Sequence, residues 1–161
     1  MTPEQMRDKA SDLYSRRFHC TQAVLCAGLE KIGKVNEEVI KAFGAFGGGI
    51  AWSGRTCGAL TGGIGVIASI FGRGNLKSTE DSRMRPICRK FIVEFEKLTH
   101  VYGGTDCRDI ARINWQDEEM VKTFLNDPES SRKVCVQLVG DTAFALGRLL
   151  EAEGVGNGTS E

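Results

Sequence analysis

The chain has 161 residues, which is most simply one domain and is long enough to bury a core without cross-links. Lysine plus arginine and aspartate plus glutamate number 21 each, so no bulk charge would attract nucleic acid or an anionic membrane surface. The chain contains six cysteines, a content that favours redox or metal chemistry over a structural disulfide framework in a reducing compartment.

The N-terminal residues predict two helices and then a third, shorter one. Thr2-Pro3-Glu4-Gln5 is a capping-box start, and apolar residues at helical spacing continue to about Leu29. A break expected near Arg17 to His19 would place Cys20 in the first turn of the second helix. Asn36 caps the third helix. The polar N-terminus lacks the apolar core of a signal peptide, so we expect a cytoplasmic protein.

A glycine-dense segment, Gly44 to Phe71, follows and is the most unusual part of the chain. Its run Gly47-Gly48-Gly49 predicts backbone that bends tightly or approaches another group closely. Cys57 ends this loop and begins an apolar helix. In that helix small residues recur at three- and four-residue steps, which would let a second backbone pack closely: Gly58, Gly62, Gly65 and Ser69. The helix is too short and glycine-rich for membrane insertion.

The next predicted helix is long and strongly amphipathic. Ser78 to Asp81 predicts its start, and the apolar stripe continues to Leu98. Pro86 falls within this segment and should kink or restart the helix. Tyr102-Gly103-Gly104 ends it.

Three further helix starts are predicted after this point. Thr105 to Arg108 is typical of a capped helical turn, with Cys107 in its first turn. Asp117 and Asp127 mark the next two starts. The last of these helices carries Cys135 on its inward face.

We therefore predict an all-α fold, a single compact bundle of about six helices with a glycine-rich loop, because no strand alternation or repeat is present. The helical domain is expected over residues 1–152, followed by a disordered C-terminal tail over residues 153–161. The glycine-lined helix faces would accommodate a second copy, so a homodimer is compatible with the sequence.

Four cysteines are the candidate site. Three of them lie at or near predicted helix starts and beside an arginine: Cys20 near Arg17, Cys57 near Arg55, and Cys107 next to Arg108. Helix N-termini and nearby cations lower the pKa of a thiol and raise its thiolate content. Cys135 lies within a helix. These distant cysteines can act together only if the fold gathers them at one pocket.

The residues around these cysteines resemble a known family. The landmarks are Phe18-His19-Cys20-Thr21-Gln22-Ala23-Val24-Leu25, Gly47-Gly48-Gly49, Thr56-Cys57-Gly58-Ala59-Leu60-Thr61-Gly62, Thr105-Asp106-Cys107-Arg108 and Cys135. They resemble the putative redox-active proteins named for their C…CGAxxG…C…C pattern, over about Tyr14 to Leu150. The resemblance implies that the four family cysteines are Cys20, Cys57, Cys107 and Cys135. One departure is His19, where such sequences often carry asparagine.

Two chemistries are open for these cysteines. In the first, Cys20, Cys57, Cys107 and Cys135 are catalytic and carry electrons by thiol/disulfide exchange with a redox partner. In the alternative, the same four side chains are metal ligands for an iron–sulfur cluster or zinc. No Cys-x-x-Cys or paired zinc-knuckle spacing chooses between them. We place the thiol chemistry first and expect an oxidoreductase-like protein.

A third reading is a non-catalytic helical binding module whose cysteines only pack, since cysteine is often buried. Cys26 and Cys88 fall on apolar helix faces and are expected in the core. His19 is a proton partner or ligand at the Cys20 site, or a solvent-facing or capping residue. Trp52 is a lid over the site or an anchor for a second subunit.

Overall fold

The structure, a computed structural model, describes residues 1–156, and this range folds into eight α-helices. They are α1 (Pro3–Ser15), α2 (Cys20–Lys31), α3 (Glu37–Ala42), α4 (Gly58–Phe71), α5 (Met84–Thr99), α6 (Cys107–Ala111), α7 (Glu118–Asn126) and α8 (Arg132–Ala152). Two short 3-10 helices, Phe43–Phe46 and His100–Tyr102, extend α3 and α5. Within the same residues no strand forms apart from one isolated β-bridge. The all-α prediction is confirmed, whereas the count of six helices was too low.

Left-handed backbone at two arginines ends two of the helices. Arg17 (φ 78°) ends α1, with the Phe18 N–H donating to the Leu13 carbonyl at 3.0 Å. Arg112 (φ 54°) ends α6 in the same way. The count exceeds six because α3 and α6, with six and five residues, are helices of less than ordinary length. The predicted start of the second helix at Cys20 is confirmed.

Two predicted helix starts lie too early in the chain. α5 begins at Met84 rather than Ser78, because the Asp81 carboxylate accepts backbone and side-chain hydrogen bonds in a turn before it. Pro86 is the third residue of α5, where its missing N–H is not needed, so it does not restart the helix there. α8 also begins later than the predicted Asp127.

The core is organised around α8, which packs against α1, α2, α4, α5 and α6. Its largest fully buried side chains come from several helices and include Phe91, Phe95, Leu146 and Leu150. A smaller apolar cluster forms between α6, α7 and α8 around Phe124. This cluster is separate from the main core, and the site described below lies where the two meet.

The small residues of α4 allow α2 to approach it closely, as the sequence predicted. A Cβ atom added to Gly58 would lie 2.5 Å from the Cys20 sulfur. One added to Gly62 would lie 2.3 Å from the Thr21 carbonyl oxygen. These distances are far inside van der Waals contact, so the two helix N-termini meet only because side chains are absent here.

Gly62→Ala should therefore destabilise the protein by about 1–3 kcal/mol, since the added methyl group meets backbone that cannot move aside. Urea unfolding at equilibrium measures the difference. Gly74→Ala is the matched control, because nothing lies within 4 Å of a Cβ at that position. Equal unfolding midpoints for the two variants would show that α2 and α4 are not in tight contact.

The C-terminal residues are described only in part. Residues 153–156 follow α8 as a turn in which the Val155 N–H donates to the Leu150 carbonyl at 2.8 Å. Residues 157–161, the rest of the predicted tail, lie outside the described residues, so the division at residue 152 stays a prediction. None of the helices in residues 1–156 has both the length and the apolar character needed to cross a bilayer.

Candidate functional site

The four candidate cysteines line one pocket with a volume of about 390 Å³. Cys20 is the first residue of α2, Cys57 is the N-cap of α4, and Cys107 is the first residue of α6. Cys135 lies within α8, as predicted, but it is the fourth residue of that helix and therefore also lies near a helix start. Cys57 and Cys107 are only 7% and 8% exposed, whereas Cys20 and Cys135 are half-buried.

The isolated β-bridge between Thr56 and Asp106 brings Cys57 and Cys107 alongside each other. The Cys57 N–H donates to the Thr105 carbonyl at 3.1 Å, and the Cys107 N–H donates to the Arg55 carbonyl at 2.6 Å. The bridge thus joins the end of the glycine-rich loop to the start of α6. Its hydrogen bonds also occupy the backbone N–H groups of both Cys57 and Cys107.

The glycine-rich loop contains an unusual left-handed turn beside the cysteines. Five consecutive residues, Gly48 to Trp52, have φ between 50° and 73°, and three of them are not glycine. Left-handed backbone costs a residue with a side chain about 1–2 kcal/mol, and such strain is often retained where function requires it. A Cβ on Gly49 would lie 2.7 Å from the Cys107 Cβ, so the turn packs directly on this cysteine.

Cys20 and Cys57 form a hydrogen-bonded pair of sulfur atoms. The groups that favour ionisation of the Cys20 sulfur are the Cys57 thiol and the backbone N–H groups of Thr21 and Gly48. These donors lower the pKa of Cys20 despite its burial. The same contact, together with burial, raises the pKa of Cys57 well above its ordinary value. Cys20 is therefore the more acidic thiol of the pair, and Cys57 is the one that stays protonated.

Cys107 and Cys135, the other two cysteines of the pocket, are protonated thiols. Burial raises the pKa of Cys107 to about 11, although the Trp115 indole N–H donates to its sulfur at 3.4 Å. Burial likewise raises the pKa of Cys135 to about 12, against a hydrogen bond from the Tyr14 hydroxyl. Near neutral pH both side chains are neutral.

The sequence-based expectation of lowered pKa values at Cys57 and Cys107 was therefore wrong. Both cysteines lie at helix starts, but they are buried, and the β-bridge uses their own amides. The neighbouring arginines do not compensate, because Arg55 is exposed and the Arg108 Nε donates to the Gly54 carbonyl at 3.1 Å. Burial disfavours the charged thiolate when no donor offsets it.

Sequence reasoning missed three residues that line the pocket beside these sulfurs. The candidate site residues did not include Tyr14, Trp115 or Arg132. Arg132 precedes Cys135 by three residues, a helical spacing that could have indicated it. No local pattern connects Tyr14 with Cys135 or Trp115 with Cys107.

Trp52 lines the pocket and packs edge-to-face on His19, with ring centroids 5.4 Å apart. His19 is the N-cap residue of α2, and its backbone N–H donates to the Gln22 side chain at 3.4 Å. Trp52 is therefore part of the pocket lining, next to the residue that precedes Cys20. Cys26 and Cys88 lie in α2 and α5 and do not line the pocket.

Residues 1–156 contain no arrangement of side chains that matches the metal alternative. No group of three or more His, Cys, Asp or Glu side chains in this range lies close enough together to hold a metal ion. All six cysteines are free thiols. Cys20, Cys57, Cys107 and Cys135 share a pocket without converging on one point, so the proposed four-ligand set is not assembled in this arrangement.

Comparison with known proteins places this site in a family. Residues 18–149 match the model of the family described as "Putative redox-active protein (C_GCAxxG_C_C)". Neither the curated proteins nor the solved structures gave a match. The family label writes Gly-Cys-Ala at the start of its central motif, where this chain reads Cys57-Gly58-Ala59. The matched range contains all four pocket cysteines and most of the chain, which supports a redox role. The chain thus belongs to this family of putative redox-active proteins, as its cysteine pattern predicted.

Proposed function

We propose that this protein is a thiol/disulfide electron carrier in which Cys20 is the attacking thiolate and Cys57 the resolving thiol. The close approach of Cys20 to the start of α4 supports this proposal most directly, because a Cβ atom on Gly58, the residue after Cys57, would lie 2.5 Å from the Cys20 sulfur. The opposite pKa shifts of Cys20 and Cys57 agree with it. A thiolate is the nucleophile in disulfide exchange, and a second sulfur in contact with it can complete the transfer of two electrons. The protein would then be oxidoreductase-like.

The proposed reaction balances with a disulfide as the oxidant. The Cys20 thiolate attacks one sulfur of the substrate disulfide, forms a mixed disulfide and releases the first substrate thiolate. Cys57 then loses its proton to that thiolate and attacks the Cys20 sulfur. This step forms the Cys20–Cys57 bond and releases the second substrate half as a thiolate, which solvent protonates. Two electrons pass from the protein dithiol to the substrate.

Cys107 and Cys135 would form the second dithiol of the site. They line the same pocket as the first pair and remain protonated because of burial. Exchange with the Cys20–Cys57 disulfide would return that pair to the reduced state and leave Cys107 and Cys135 oxidised. Such an exchange breaks one S–S bond and forms another, so it needs no further reagent.

Limited oxidation with hydroxyethyl disulfide tests the assignment. Alkylation of the remaining thiols and peptide mass mapping should show that Cys20 and Cys57 are the first two thiols to be converted to a disulfide. Cys57→Ser should instead stop at a mixed disulfide on Cys20, whereas Cys88→Ser should behave as the wild-type protein. A first disulfide between any other cysteines, or six thiols that stay reduced, would refute the proposal.

The same preparations test the metal alternative. Elemental analysis and a visible spectrum of anaerobically purified protein should show no stoichiometric metal. A bound metal that is lost in Cys57→Ser but kept in Cys88→Ser would instead assign the four cysteines as ligands and replace the thiol mechanism.

A further inference from the structure

The pocket beside Cys20 has the size and walls of a small-molecule site. Its volume of about 390 Å³ lies near the lower end of the range for small ligands. Apolar and aromatic side chains from α6, α7, α8 and the segment between α6 and α7 form most of its lining, including Ile110, Trp115, Phe124, Leu125 and Leu138. The ligand that fits this space has a compact apolar body.

The charge of the lining is one-sided. No aspartate or glutamate contributes to it, whereas Arg17 and Arg132 both do. Within residues 1–156 neither arginine forms an ion pair: Arg17 Nη2 donates to the Asn126 side chain at 3.3 Å, and Arg132 Nη2 donates to the Tyr14 carbonyl at 2.6 Å. Two guanidinium charges outweigh the single negative charge of a Cys20 thiolate. The pocket therefore favours an anionic ligand.

Arg17 occupies a backbone position that favours glycine. It has φ 78° and follows the C-cap of α1, where glycine closes helices most often. An arginine is thus kept at the edge of the pocket in spite of its backbone conformation. Strained residues of this kind concentrate at functional sites.

The rim of the pocket restricts access to large partners. At the Cys20 end of the pocket, the exposed lining residues are Arg17, Phe18 and Trp52. Phe18 is 37% exposed and Trp52 is 38% exposed. Cys57 lies behind Cys20 and is almost fully buried. A disulfide must reach the Cys20 sulfur past these side chains, which favours a small disulfide over one held in a folded protein.

From these observations, we propose that the substrate of this site is a low-molecular-weight disulfide with an apolar body and a negatively charged group. The apolar part occupies the space between α6, α7 and α8, and the charged group lies against Arg17. This inference rests on the proposed function, because it requires Cys20 to attack a disulfide. The electron balance is the one given above, with both halves of the substrate released as thiolates that solvent or Cys57 protonates.

Two aryl disulfides that differ in charge test the proposal: dithiobis(nitrobenzoate), which is anionic, and dithiodipyridine, which is neutral. Stopped-flow absorbance at pH 7 follows the release of the aryl thiol. The protein carries Cys26→Ser and Cys88→Ser, so that half-buried cysteines outside the pocket do not contribute. Arg17→Gly removes one charge and suits the left-handed backbone, so its melting temperature should be equal or higher.

Arg112→Gly is the matched control. Arg112 is also an arginine with left-handed backbone, so the substitution makes the same change in net charge and in backbone preference. It does not line the pocket of the four cysteines. A rate change caused only by the overall charge of the protein would appear equally in both variants.

We expect Arg17→Gly to lower the reaction rate of the anionic disulfide about 3- to 5-fold, which is the effect of losing one partly exposed ion pair. The reaction rate of the neutral disulfide should not change. Arg112→Gly should change neither rate. Equal rates in wild type and Arg17→Gly, or equal losses with both disulfides, would overturn the substrate assignment. Failure of the proposed function has a different signature, because Cys20→Ser would then react with dithiodipyridine as fast as the wild-type protein.

Discussion

Replacing Cys20 by serine should lower the rate of alkylation by iodoacetamide at pH 7 by at least about 100-fold in a protein that lacks Cys26 and Cys88. Cys20 has a lowered pKa and supplies the thiolate of the pocket. The remaining thiols are poor nucleophiles at this pH. With a pKa of about 11, Cys107 is ionised in roughly one molecule in ten thousand, compared with roughly one in a hundred for a thiol at the ordinary value of 9.0. Quenched-flow labelling with mass detection measures the rate.

Two substitutions at Cys57 separate its hydrogen bond to Cys20 from its proposed role as the resolving thiol. Cys57→Ser keeps a hydroxyl donor beside Cys20, whereas Cys57→Ala removes the donor altogether. The pH profile of Cys20 alkylation should shift to higher pH in Cys57→Ala and shift less in Cys57→Ser, because a donor stabilises the thiolate. Neither variant should form the first disulfide. Identical profiles for wild type and Cys57→Ala would show that Cys57 does not influence the Cys20 thiolate.

The second large effect is a loss of stability at alkaline pH. Cys107 ionises at about 9.0 in the unfolded chain but at about 11 in the folded protein, because burial disfavours its thiolate. Its contribution to stability is fully present below pH 9 and is lost as the pH rises toward 11. The linkage slope is about 1.4 kcal/mol per pH unit for each such thiol, so Cys107 alone accounts for about 3 kcal/mol over this interval. Cys135 acts in the same direction.

Urea unfolding under reducing conditions from pH 8 to pH 11 measures this loss. Cys107→Ala should lower the slope of unfolding free energy against pH, even if its stability at pH 8 differs from that of the wild-type protein. Cys88→Ala is the comparison, because Cys88 is half-buried in α5 and lies outside the pocket. Equal slopes in wild type and Cys107→Ala would mean that Cys107 titrates in the folded protein as it does in the unfolded chain.

Together these experiments distinguish the three sulfur environments of the pocket. Cys20 has a lowered pKa because the Cys57 thiol and nearby backbone N–H groups favour its thiolate. Cys57 is held as its hydrogen-bonded partner, and Cys107 and Cys135 are kept neutral by burial. The strained turn from Gly48 to Trp52 takes part in this arrangement, since the Gly48 N–H is one of the donors to Cys20.

The amino-acid sequence by itself determined the helical class and the set of cysteines. Apolar spacing and capping residues act within a few positions of the chain, so they predicted the starts of α1, α2 and α6 correctly. The small-residue face beginning at Gly58 likewise predicted the close approach of another helix. The cysteine pattern predicted the family, because the motif is read directly from the letters of the chain.

Only the tertiary structure decided which sulfurs lie together and which of them ionises most readily. The lowered pKa of Cys20 depends on Cys57 and Gly48, and the neutral state of Cys107 depends on burial beside the bridge between Thr56 and Asp106. These partners lie about 30 to 50 positions apart, where spacing along the chain carries no information on contact. A thiol pKa is set by the donors and solvent around one atom, so it becomes defined only when distant segments pack together.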